Sequence, residues 1–167
     1  MKKSAQGFTL IELLVVISIT AVIGIYAIAN FRSFGADQNT KSSALEIQSF
    51  LRLAQSNSTS NLKCQSQPTT NWFIVFTSNT SLDLKCQNSV GTSSSLKSLS
   101  MPENITYTVA NASGDCTPNQ VNFAPLTGAM TTSNCSSGSI IINLANSKGG
   151  SKQVRVEQGG RIYVPFQ

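Results

Sequence analysis

GFTLIELLVVISITAVI, residues 7–23, is an apolar run interrupted by one carboxylate, Glu12, and its reading decides how the rest of the chain is understood. Glu12 is the only formally charged side chain from residue 8 to residue 31. As a helix, those residues extend about 36 Å at about 1.5 Å each. That is enough to cross a hydrocarbon core of about 30 Å. A carboxylate in such a span costs roughly 2.5–3.5 kcal/mol on insertion scales, so it marks a functional-site candidate whose partner has to be found. An ammonium would serve, either at a new N-terminus made by a cut between Gly7 and Phe8 or on a neighbouring copy. The positive end of the helix dipole favours an anion in the same first turns.

Residues 1–7 form a short basic leader carrying Lys2 and Lys3. A secretory signal peptide carries its apolar region ahead of a small-residue cleavage site and leaves with it. No A-x-A site follows the apolar stretch here. By the positive-inside rule Lys2 and Lys3 stay cytoplasmic and the C-terminal part is directed outward. The expected topology is a single pass through the cytoplasmic membrane, N-terminus inside.

Gly7, Phe8, Thr9, Leu10, Ile11 and Glu12 resemble the processing site of type IV prepilins and of the pseudopilins of type II secretion. The resemblance implies that prepilin peptidase cuts after Gly7 and that the new terminus, Phe8, is N-methylated. It implies further that the apolar helix packs with other pilin or pseudopilin subunits in a filament. In that packing Glu12 pairs with a neighbouring subunit's terminus.

Beyond the apolar run, residues 32–36 weaken the periodicity, and Asp37 is placed to cap a renewed helix. Ala44, Ile47, Phe50, Leu51 and Ala54 recur at intervals of three and four, an apolar stripe on one helix face. Lys41, Gln48, Arg52 and Gln55 fall on the other. From residue 58 the composition shifts to Ser, Thr, Asn and Gly, punctuated by β-prone runs at 72–77, 105–109, 120–123, 139–144, 153–157 and 161–165. The Gly159-Gly160 pair between the last two reads as a hairpin. About 110 residues suffice for one modest core, for which Trp72, Phe73, Phe76, Tyr107, Phe123, Ile141 and Val156 are the candidates.

The expected fold is therefore α+β. A long N-terminal helix, membrane-spanning in its first half and amphipathic in its second, packs against a small antiparallel β-sheet domain, as in type IV pilins. Its segments are a leader at 1–7, a transmembrane and assembly helix at 8–31, an amphipathic continuation at 32–57 and a globular β-rich domain at 58–167.

Cys64, Cys86, Cys116 and Cys135 all lie past the anchor, and an even count in a small exported domain reads as disulfides. Of three pairings, Cys64 with Cys86 and Cys116 with Cys135 are favoured because each closes a short polar segment. A zinc site is disfavoured, since there is no C-x-x-C spacing and no histidine. The missing histidine also excludes triads that use it as base. The outer acids, Asp37, Glu46, Asp83, Glu103, Asp115 and Glu157, read as solvated or capping charges rather than a catalytic cluster. No enzyme activity, metal, cofactor or small-molecule substrate is expected. Asn57, Asn79, Asn104, Asn111 and Asn134 begin N-x-S/T triplets that a chain this rich in Asn, Ser and Thr produces by coincidence.

Loss of Lys2 and Lys3 lowers the formal charge from +5 to +3, a balance that permits nucleic-acid contact without requiring it. Lys148, Lys152, Arg155 and Arg161 gather near the C-terminus with Glu157 as the opposing charge, and Tyr163 and Phe166 are the aromatics available for stacking. The helix segment Phe50-Leu51-Arg52-Leu53-Ala54, the strand starting at Trp72, Phe123-Ala-Pro125-Leu-Thr-Gly128 and Gly160-Arg161-Ile162 resemble the GspH/FimT-like minor pseudopilins. That resemblance implies a minor structural subunit of a type II secretion pseudopilus or type IV pilus-like filament, or alternatively a surface DNA receptor. Two departures stand out. Asn30 and Phe31 follow Ala29 where many pilins place a proline. Tyr163 stands where the DNA-binding Gly-Arg-x-Arg motif of some FimT proteins has its second arginine.

Overall fold

The computed structural model describes residues 8–132, 135 and 138–165, without the side chains of residues 27–33 and 70. The leader with Lys2, Lys3 and Gly7, the triplet at Asn134 and the aromatic Phe166 lie outside the described residues.

One helix, α1 (Leu10–Thr59), takes up the first third of the chain. Thr9 caps it: the Thr9 hydroxyl oxygen accepts from the Glu12 backbone N–H at 3.3 Å, satisfying one of the orphan donors of the first turn. No break occurs near residue 36, so Asp37 is an interior helical residue rather than the cap expected from the sequence. With Ala29 in the place of a proline, every backbone N–H there remains able to donate.

The amphipathic stripe is buried as its spacing predicts, with Ala44, Ile47, Leu51 and Ala54 at 0% exposure and Phe50 at 4%. Gln48 and Gln55 depart from the expected outer face: both are half-buried at the margins of the stripe.

Among the described residues nine strands follow, in two antiparallel sheets. β1 (Thr69–Phe76), β2 (Ser81–Asn88), β3 (Ser93–Ser100), β5 (Gln120–Phe123) and β6 (Met130–Thr132) form one, ordered β3-β2-β1-β5-β6. β4 (Ile105–Asn111), β7 (Ile140–Asn146), β8 (Ser151–Val156) and β9 (Ile162–Tyr163) form the other, ordered β4-β7-β8-β9. The six β-prone runs correspond to β1, β4, β5, β7, β8 and β9, whereas β2, β3 and β6 were not anticipated. The chain is α+β, a helix packed on a small antiparallel β domain, consistent with a type IV pilin-like fold.

Each sheet turns one face to the helix stripe. Trp72, Ile74, Leu82, Leu84, Val121 and Phe123 from the first sheet and Ile105, Tyr107, Ile142, Leu144, Val154 and Val156 from the second share one core with α1. Three of the expected core residues sit elsewhere. Phe73 is buried but outside this core, on the face of β1 opposite Trp72 and Ile74. Ile141 is half-buried because β7 alternates, sending Ile140, Ile142 and Leu144 inward and Ile141 to the other face. Phe76 is only partly buried, packed against the core at the end of β1 with its ring edge-on to Tyr107 at 5.8 Å.

Disulfides join Cys64 to Cys86 and Cys116 to Cys135, closing sequence separations of 22 and 19. The first ties the loop after α1 to β2, and both of its cysteines are fully buried.

Candidate assembly site

Ahead of the β domain, the described apolar side chains of α1 are exposed. Phe8, Leu10, Ile11, Ile25 and Tyr26 are 66–86% exposed, and Leu13, Leu14, Val15, Val16, Ile17, Ile19, Val22 and Ile23 are 46–61% exposed. Soluble surfaces rarely carry a contiguous apolar area of this extent, which marks an interaction surface. The polar side chains within it are satisfied locally. The Ser18 hydroxyl donates to the Val15 carbonyl oxygen at 2.8 Å, and the Thr20 hydroxyl to the Val16 carbonyl oxygen at 2.9 Å. Such back-bonding leaves those hydroxyls needing no water. Glu12 is the exception: among the described residues its carboxylate has no cationic partner. It sits in the first turn, where the helix dipole favours it.

Among the described residues no helix is long and apolar enough to cross a membrane. The described side chains of the apolar run end at Tyr26, 17 residues from Leu10. That length gives about 26 Å against a core of about 30 Å. The span expected over 8–31 includes residues 27–31, whose side chains are not described.

The four C-terminal cations do not form one free patch. Lys152 is held by Asp37 of α1 at 3.1 Å, and the Arg161 guanidinium lies over the Tyr163 ring at 4.7 Å. Arg155 is half-buried between its cross-strand neighbours Ile141 and Tyr163, its Nε without a hydrogen-bond partner. Lys148 is exposed in the β7–β8 turn, where its backbone N–H donates to the Asn146 side-chain oxygen. They are also strung out along the helix. Lys152 meets α1 at Asp37, whereas Gly160, next to Arg161, meets it at Gln55. Eighteen helical residues separate those levels, about 27 Å.

What holds this edge together escaped the sequence reading. The Gln48 side-chain amide and the Arg52 guanidinium both donate to the Ile162 carbonyl oxygen, each at 3.1 Å. The Gln55 amide donates to the carbonyl oxygens of Gly128 at 3.0 Å and Gly160 at 2.7 Å. β9 and the residues after it therefore run back along α1. Below this clamp a groove of about 410 Å³ opens between α1 and the C-terminal segment, lined by Asp37, Lys41, Leu45, Lys152, Val164 and Pro165 among others. Nothing in a single sequence links residue 48 to residue 162.

No curated protein and no solved structure matches the chain. Residues 2–28 match the family described as the prokaryotic N-terminal methylation motif. The match covers Gly7, Phe8 and Glu12, the positions on which the prepilin resemblance rests. It supports a type IV pilin-like or pseudopilin-like protein, processed by prepilin peptidase and assembled with other pilin subunits.

Proposed function

We propose that the chain is a minor pilin or pseudopilin, a structural subunit of a type II secretion pseudopilus or type IV pilus-like filament of the GspH/FimT-like group. Prepilin peptidase cuts after Gly7, Phe8 becomes the methylated terminus, and residues 8–31 hold the subunit in the cytoplasmic membrane until assembly. The role is assembly rather than catalysis. The observation that carries this reading is the exposed apolar length of α1 with one carboxylate near its start that has no ion-pair partner among the described residues. Moving from lipid into a bundle exchanges one apolar environment for another, which leaves packing and polar pairing to decide register. Glu12 supplies that register, because a carboxylate left unpaired in a bundle is strongly destabilising.

Glu12→Ala is expected to leave membrane insertion intact and to reduce the subunit's amount in sheared filaments. Equal amounts of variant and wild type in the sheared fraction would refute the assembly role of Glu12. The DNA-receptor alternative gains no support from the cations: Lys152 is neutralised by Asp37, Arg161 is engaged with Tyr163, and the basic groups are spread along the domain.

A further inference from the structure

β8 turns Val154 and Val156 into the core, so Arg155 between them stands on the outer face of the second sheet. There it is the middle of a row across three strands, with Ile141 of β7 on one side and Tyr163 of β9 on the other. Neighbouring strands lie about 5 Å apart, so the row is about 10 Å long. Within it the Arg155 Nε is shielded from solvent and has no hydrogen-bond partner among the described residues. No carboxylate meets the guanidinium either: the ion pairs among the described residues are Lys85 with Asp83 and Lys152 with Asp37. A desolvated donor without an acceptor is costly, and an acceptor brought from outside removes that cost.

The surrounding charge says which acceptor. Arg161 is exposed, its guanidinium lying over the Tyr163 ring at 4.7 Å. Glu157 bonds to Arg161 through its backbone, yet its carboxylate forms no ion pair with either arginine. Two arginines against one glutamate leave a net charge of +1, which one carboxylate balances. A nucleic acid draws its affinity from several neutralised phosphates, and Lys152, the next cation back along β8, is already held by Asp37. Small-molecule sites are concave, whereas this is an open strand row whose arginine and tyrosine are the residue types that anchor protein interfaces.

We propose that this row docks an acidic side chain of a partner protein, a glutamate or aspartate flanked by apolar residues. The carboxylate accepts a paired hydrogen bond from the Nε and Nη edge of Arg155. The apolar flanks lie on Ile141 and Tyr163, and the half-buried Asn143–Gln153 pair in the next row offers amides to the partner's backbone.

The test follows the arginine Nε–H signals of the isotope-labelled full chain by NMR in zwitterionic detergent. The probe is a blocked pentapeptide with a central glutamate between leucines, and its counterpart carries glutamine instead. The glutamate peptide is expected to move the Arg155 signal and to bind about tenfold more tightly than the glutamine peptide, the scale of a hydrogen bond to a charged group. Arg155→Lys keeps the charge and loses the planar fork; read on the Tyr163 ring signals, it should weaken binding of the glutamate peptide about tenfold. Lys148→Gln, an exposed cation outside the row, should leave binding unchanged. Equal binding of the two peptides, or of neither, overturns the site. So does binding that survives Arg155→Lys, or an Arg52 signal that moves as far as that of Arg155. Displacement of the peptide by single-stranded DNA at equal concentration also overturns it, since the face would then be a general anion surface.

Discussion

Tyr107 is 3% exposed on β4, its hydroxyl donating to the Ser81 carbonyl oxygen. Burial first, and the nearby charge of Asp83 second, push its phenol from 10.0 up to about 12. Asp83 is fixed there by the Thr77 hydroxyl at 3.1 Å and the Ser98 hydroxyl at 2.6 Å. Between those two values the folded chain keeps a proton that the unfolded chain has lost. The associated stability is complete below about pH 10 and is lost as pH rises through about 12, by roughly 2–3 kcal/mol. Urea unfolding at pH 9 and pH 11.5 is expected to show wild type losing more stability than Tyr107→Phe, by about 2 kcal/mol. A parallel decline in both proteins would remove Tyr107 as the cause. The sequence nominated Tyr107 for the core, yet the proximity of Asp83 depends on β2, which was not foreseen.

The β8–β9 hairpin is the element on which the C-terminal edge depends. Its turn closes through the Glu157 N–H donating to the Arg161 carbonyl oxygen at 2.9 Å, and Gly160 adopts a φ of +86°. An added Cβ there would overlap the Gly128 carbonyl oxygen and crowd the Gln55 amide. Gly160→Ala is therefore expected to cost about 2–4 kcal/mol, from the left-handed backbone and the clash together. Gly159→Ala meets nothing within 4 Å and should cost under about 1 kcal/mol. Thermal melts of the two variants check this contrast. The hairpin itself was legible from the glycine pair, and α1 from its threes-and-fours spacing. β2 carries a readable alternation in Leu82, Leu84 and Cys86, masked by the polar residues between them. β3 is an edge strand with Leu99 as its buried residue, so burial left little pattern on it. The Gln48, Arg52 and Gln55 clamp joins positions more than 70 residues apart, and only a fold can bring them together.

At the scale of the whole molecule, two surfaces of opposite kind share one helix. The stripe from Ala44 to Ala54 is consumed by the β domain, while among the described residues nothing covers the apolar side chains from Phe8 to Tyr26. A fragment beginning at residue 34 is expected to stay monomeric without detergent, and the full chain to associate under the same conditions. Sedimentation velocity on the two would decide it, and association of both would place the sticky surface on the β domain instead. The prepilin-like start was legible because the methylation motif is a local sequence pattern, matched over residues 2–28. The groove was not, because its walls come from the helix and from the far end of the chain. The continuity of α1 also has a mechanical consequence. Tension applied at the N-terminal end travels up an unbroken rod, and the bonds from Gln48, Arg52 and Gln55 to the C-terminal edge carry it in shear, side by side. At the rod's other end Cys64, five residues past Thr59, is bonded covalently to β2. A subunit pulled by its helix therefore passes the load into the five-stranded sheet through a covalent link as well as through packing.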